Sequence, residues 1–362
     1  MRSPNSLRAW TRELLPARSC CAPASAWELL RALLVEFTSN LTQLARQADR
    51  NTTARVARQF FSRWLGRSQW DLNTIYAGLP RLVPSVWRQR QIPLLIDFTF
   101  VGEGGEGWSI LQVSLPWQRR ALPVYRAVTR RTEPEWGQTQ LLLASLGWLR
   151  QVLPGPQARY VLVLDRGFPS HRLIHELQAL GWRFVLRINA DWTLTHREYT
   201  GRLKGLGPAG RLGPVPQLCR EAILGRCVQG QPVRNRSCRV NVVWYLGPGH
   251  QEPWFLATTE RQARAAVAIY RERMRIEAEF RDLKGAWGLD ALATWTRREA
   301  VARFLAWVAI YEWRLAYLWH RHQLEQQARN WQAYGPLSWI RLTREWIARQ
   351  LRPPKGRALA CL

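Results

Sequence analysis

Gln91-Ile-Pro-Leu-Leu-Ile-Asp97-Phe-Thr-Phe100 is a near-continuous apolar run broken by one carboxylate close to its end. A central strand buried on both faces reads this way. Downstream, Glu103-Gly-Gly-Glu-Gly107 has the composition of a turn. Strands are expected over 108–113 and 121–129, then an amphipathic helix over 138–152 stopped by Pro154. A second buried strand follows over 160–164, a helix over 170–180 and a short strand over 183–188. The order strand, hairpin, helix, strand, helix predicts an α/β core.

Both buried strands end in aspartate: Leu94-Leu-Ile-Asp97-Phe-Thr99 and Val161-Leu-Val-Leu-Asp165-Arg-Gly167-Phe168. A third acid lies in Tyr270-Arg-Glu-Arg273-Met-Arg-Ile-Glu277-Ala-Glu-Phe-Arg-Asp-Leu-Lys284, within a helix expected over 262–283. At about 100° per residue, Tyr270, Arg273, Glu277 and Lys284 fall within roughly 60° of one another. One face would carry a carboxylate, two cations and a phenol, able to hold a metal ion and grip phosphates beside it. Glu279 and Asp282 point roughly 120° or more away and read as surface or structural acids. Taken singly, Asp97 and Asp165 could be strand-end caps and Glu277 a surface acid paired with Arg273. Jointly they suggest metal-dependent chemistry on nucleic acid.

The chain has 362 residues, enough for two or three domains. Lysine and arginine number 53 against 26 acids, a formal charge of +27. The excess runs along the whole chain, so a polyanion is the expected partner, and nucleic acid is the commonest one. No polybasic block beside an amphipathic anchor suggests a membrane surface. The most apolar stretch, 304–319, contains Glu312 and Arg314 and reads as a buried helix. Six scattered cysteines form no Cys-x2-Cys pair, which argues against a zinc site and for a reducing cytoplasm. The N-terminus carries no apolar signal core, and no Gly-x4-Gly-Lys loop points to ATP. His171 and His175 lie four apart but lack a third soft ligand nearby, so a surface or capping pair is the better reading.

The spacing Tyr270-x2-Arg273-x3-Glu277-x6-Lys284, with Asp97 and Asp165 in order before it, resembles the DDE transposases of insertion-sequence family four. These are the cut-and-paste enzymes with a Tyr-Arg-Glu-Lys signature. The resemblance implies an RNase H-like catalytic core, a mostly β insertion domain and helical flanks. It divides the chain into a helical DNA-binding region over 1–90, the first part of the core over 91–190 and the β-rich insertion over 191–253. The second part of the core, with the signature helix, takes 254–298, and a helical C-terminal region takes 299–362. Segment 192–253 is rich in glycine and proline, with short β-like pieces, which suits such an insertion.

Further roles follow from the resemblance. Asp97, Asp165 and Glu277 would be catalytic and would hold two magnesium ions, with manganese substituting. Hard oxygen donors suit magnesium, and a metal pair activates a nucleophile and stabilises a leaving oxygen. Tyr270, Arg273 and Lys284 would grip the end of the transposon strand, including its 5′ phosphate. Trp254 stands where the family stacks a flipped base, although most of the 21 tryptophans must serve the core. Arg166 could touch DNA or pair with an acid. The reaction implied is hydrolysis that frees a 3′-OH, a hairpin intermediate, and strand transfer into target DNA. The partners implied are double-stranded terminal inverted repeats, target DNA and a second copy in a synaptic dimer, at the bacterial nucleoid in the cytoplasm, with no membrane and no ATP. A catalytically silent descendant and an RNase H-like nuclease without strand transfer are the alternatives. Near the N-terminus, two helices around Asn51-Thr-Thr53, with Arg55, Arg58 and Arg63 on the second and Arg67 just beyond, fit either a helix-turn-helix or a plain helical hairpin.

Overall fold

The computed structural model describes residues 38–47, 53–66, 71–79, 87–103, 107–133, 137–196, 199–206, 213–228, 231–285 and 287–322, with isolated helical positions between 29 and 36 and between 324 and 347. The helical regions expected over 1–90 and 299–362 therefore lie only partly within the described residues. The tail after Arg352 and Arg67 lie outside them.

Of the helices whose bounds lie within the described residues, the first three are α1 (Leu41–Arg46), α2 (Ala54–Gly66) and α3 (Leu72–Gly78). The side chain of Asn40 caps α1 by accepting from the Thr42 and Gln43 backbone amides, and Asp71 caps α3 through Asn73. Then β1 (Ile92–Val101), β2 (Trp108–Trp117) and β3 (Arg120–Arg130) form an antiparallel meander. α4 (Gln138–Val152) leads to β4 (Tyr160–Leu164), and α5 (His171–Ala179) to β5 (Arg183–Arg187). β1, β4 and β5 run parallel side by side. Every residue of β4 is buried, as is β1 up to Ile96, so the two-sided burial read from their apolar runs is present.

β6 (Thr193–His196), β7 (Tyr199–Arg202), β8 (Gln217–Val228) and β9 (Gln231–Tyr245) follow, then β10 (Trp254–Thr258). β10 pairs antiparallel with β5 on one side and with β9 on the other. One ten-stranded sheet results, in the order β3-β2-β1-β4-β5-β10-β9-β8-β6-β7. The fold is mixed α/β with a large sheet. The strands of the segment after Trp192 thus continue the sheet, joined to it edge to edge through β10.

The helix expected over 262–283 is two helices, α6 (Ala263–Arg271) and α7 (Met274–Gly285). Between them the amides of Glu272, Arg273, Arg275 and Ile276 each donate to the carbonyl three residues back, a tightened turn. No glycine or proline stands there, so the cause is not local propensity. Arg273 is drawn inward at the turn, and its long-range ion pairs, described below, offset the disturbed helix. Helical-wheel positions carried across residue 272 are therefore wrong. Tyr270 belongs to one helix, and Glu277 and Lys284 to the other.

α7 packs on β1, β2 and β3, while α8 (Arg298–Arg321) crosses β3 and packs against α2 and α3. Trp108, Trp287, Trp307 and Trp313 are among the largest fully buried side chains. The indole N–H of Trp313 donates to Pro123 O at 2.6 Å. Among the described residues no helix is long and apolar enough to cross a membrane.

Candidate active site

Parallel pairing of β1 with β4 sets Ile96 opposite Leu164. Asp97 is the next residue on β1 and Asp165 directly follows β4, so the two aspartates come where the strands end their pairing. α7 lies against this part of the sheet and supplies Glu277 from its first turn. All three carboxylates reach the guanidinium of Arg273. Its Nη2 lies 3.0 Å from Asp97 Oδ2 and 3.0 Å from Asp165 Oδ2, and its Nη1 is bonded to Glu277 Oε1. Arg273 is buried. Burial works against its charge, but Asp165 and Asp97 outweigh it and raise its pKa.

Asp97 also accepts from the backbone N–H of Phe98 at 2.8 Å. Burial pushes its carboxyl up to about 6, against the opposing pull of Arg273 and the Phe98 amide, with Asp165 and Glu277 adding to the rise. The phenol of Tyr270 donates to Asp165 Oδ1 at 2.9 Å. Burial, with the Asp165 charge beside it, raises the Tyr270 pKa, so it remains a donor.

The structure thus brings Asp97, Asp165, Glu277, Arg273 and Tyr270 together. Lys284 stands two turns along α7 from Glu277, exposed, and makes no ion pair with the cluster among the described residues. Trp254 is buried at 8% exposure, in edge-to-face contact with Tyr270 at 4.9 Å and His250 at 4.6 Å. It is packed in this structure and does not stand as an open platform. Arg166 points to Glu252, Nη1 to Oε2 at 3.2 Å. Away from this cluster, His175 Nε2 contacts Ser237 O at 2.8 Å and the His171 ring lies 4.4 Å from that of Trp192, so the two histidines do not share a ligand.

Glu279 does not lie on the surface. It is fully buried and bonded to Arg126 at 3.0 Å, and Arg126 also pairs with Glu312 at 2.9 Å. Gln112 and the Leu305 carbonyl accept two further Arg126 N–H groups. Burial raises the pKa of both glutamates, against the opposing pull of Arg126. Sequence reading missed Arg126. An arginine in the middle of the otherwise largely apolar strand Arg120–Arg130 was its one signal.

The donors around Arg273 are all carboxylate oxygens, the set that a hard divalent cation takes. Among the described residues no three His, Cys, Asp or Glu side chains are already gathered to hold a metal ion. The carboxylates are gathered around a guanidinium instead.

Residues 138–313 match the transposase DDE domain. The match is to a family model and spans just under half of the chain. It includes Asp165 and Glu277 and begins after Asp97. Among solved structures, the chain is similar to a piggyBac transposase synaptic complex with hairpin DNA, at 11% identity and a TM-score of 0.42, covering 97% of this chain and 83% of that one. No curated protein matches.

Proposed function

We propose that the chain is a DNA transposase of DDE type, of insertion-sequence family four, acting by cut-and-paste. The observation that carries this reading is the convergence of Asp97, Asp165 and Glu277 on one cationic point, with the DDE-domain match over 138–313 in support. The order β3-β2-β1-β4-β5, antiparallel then parallel, supports an RNase H-like core. Residues 191–253 serve as its β insertion, and the helices on either side are the DNA-binding and C-terminal regions.

Asp97, Asp165 and Glu277 would hold magnesium or manganese, which would activate a water nucleophile and stabilise charge on the leaving oxygen. Arg273 has two stations. Among the carboxylates it offsets part of their charge. With DNA present it swings to a backbone phosphate, which its planar fork suits. Tyr270 holds Asp165 in place and keeps its proton for a phosphate oxygen. The substrate is duplex DNA carrying terminal inverted repeats. The cut passes through a hairpin, and two copies of the chain each serve one end.

Cleavage of a labelled duplex carrying the element's own ends tests the reading. With magnesium, the native chain cuts and Glu277→Gln does not, while both bind. Binding without cleavage by the native chain, in magnesium and in manganese alike, marks a catalytically silent descendant. Cleavage without joining to target DNA marks a nuclease.

A further inference from the structure

Arg187 is the last residue of β5, and Arg166 directly follows Asp165. Neighbouring strands bring the two together, although 20 positions separate them in sequence. Both guanidiniums converge on a single atom, Glu252 Oε2, each at 3.2 Å. Glu252 lies in the loop before β10, with 64% of its side chain exposed. Arg187 is mostly covered at 19%, and Arg166 is open at 55%. The charge of Arg187 reaches the phenol of Tyr270, which itself donates to Asp165. The pair therefore borders the carboxylate cluster.

We propose that Arg166 and Arg187 form a clamp for a DNA backbone phosphate, and that Glu252 is a resident anion that the phosphate displaces. The proposal rests on the transposase reading and adds to it a phosphate subsite and a competitor within the chain.

Two guanidiniums sharing one carboxylate oxygen leave a positive charge and most of their ten N–H donors unanswered. An exposed carboxylate holds such a site weakly, because solvent screens the pair. A phosphate diester presents two free oxygens, and each guanidinium can take them in its fork. Asp191 makes a superficially similar arrangement, with Lys204 at 2.8 Å and Arg202 at 3.7 Å. That group shows no electrostatic tie to the carboxylate cluster, which makes it the natural control.

The test is binding of the full chain to a labelled end-sequence duplex across a salt series, in chelator and without metal. Arg187→Gln and Arg166→Gln should each weaken binding and lower the slope of log affinity against log salt by about 1. Glu252→Gln should tighten binding by about 3- to 10-fold at fixed salt, roughly the effect of one phosphate contact released from competition. Asp191→Asn should gain much less, and the pair Glu252→Gln with Arg187→Gln should lose most of the gain. All of these side chains but Arg187 are more than half exposed, and matching melting temperatures would confirm intact folding.

Unchanged affinity and slope in both arginine variants overturn the clamp. An equal gain from Asp191→Asn reduces the Glu252 effect to net charge and overturns the competitor. If the native chain binds no duplex, the transposase reading falls and takes the clamp with it. If it binds and cleaves while Arg187→Gln behaves as native, the clamp alone falls.

Discussion

Asp97 is the residue whose protonation ties site to stability. Its folded-state pKa of about 6 lies above the ordinary value of 3.8. Its stabilising contribution is therefore full below about pH 4 and lost as pH rises through about 6. Asp97→Asn should flatten that decline and, in metal-free buffer, raise stability at pH 7 by on the order of 2 kcal/mol. Thermal melts of both proteins from pH 4 to 8 check this, and parallel pH profiles would refute it. Arg273 gives a second test. Replacing it with glutamine removes the internal cation from three carboxylates, so manganese should bind Arg273→Gln more tightly than the native chain. Titration followed by paramagnetic resonance reads this directly. Equal affinity would mean that the guanidinium does not compete with metal.

α7 is held to the sheet by a buried charge group as well as by apolar packing. Arg126 on β3 joins Glu279 on α7 to Glu312 on α8, with Gln112 on β2 completing the set. Glu277 lies on the same helix two residues before Glu279, so this group also holds in place the helix that carries Glu277. Removing Arg126 would strand two buried glutamates. Arg126→Ala should cost about 3–5 kcal/mol, whereas Glu312→Gln, which keeps the shape and removes a charge, should cost under about 1 kcal/mol. Denaturant unfolding of the two variants checks the contrast, and equal losses would refute it. The break between α6 and α7 belongs to this scale too. It lets Tyr270 face Asp165 while Arg273 enters among all three carboxylates.

At the scale of the molecule, 53 basic residues against 26 acids should make DNA binding strongly salt-dependent, because each phosphate contact releases counterions. Affinity for the end duplex should fall by about 10³-fold or more between low and physiological salt, as for a protein making six or more phosphate contacts. Anisotropy titrations measure this, and a flat response would leave the charge without a DNA partner. The sheet bears on the same question. Its continuation from β5 through β10 to β9 places the loop bearing Glu252 beside the strand bearing Arg187.

The sequence by itself determined the strands over 92–100 and 160–164 and the helix over 138–152, because apolar runs and Pro154 are local signals. It could not determine the break at Arg273, since the ion pairs that draw that side chain inward come from residues more than a hundred positions away. The buried place of Glu279 was hidden for the same reason, because its partners Arg126 and Glu312 come from other elements. Packing also decided Trp254: one tryptophan among 21 reads alike in core and platform until Tyr270 and His250 are seen against it. Periodicity and turn chemistry act over a few residues. The position of a charge in space depends on which distant strands and helices come to surround it, and that only the tertiary structure decided.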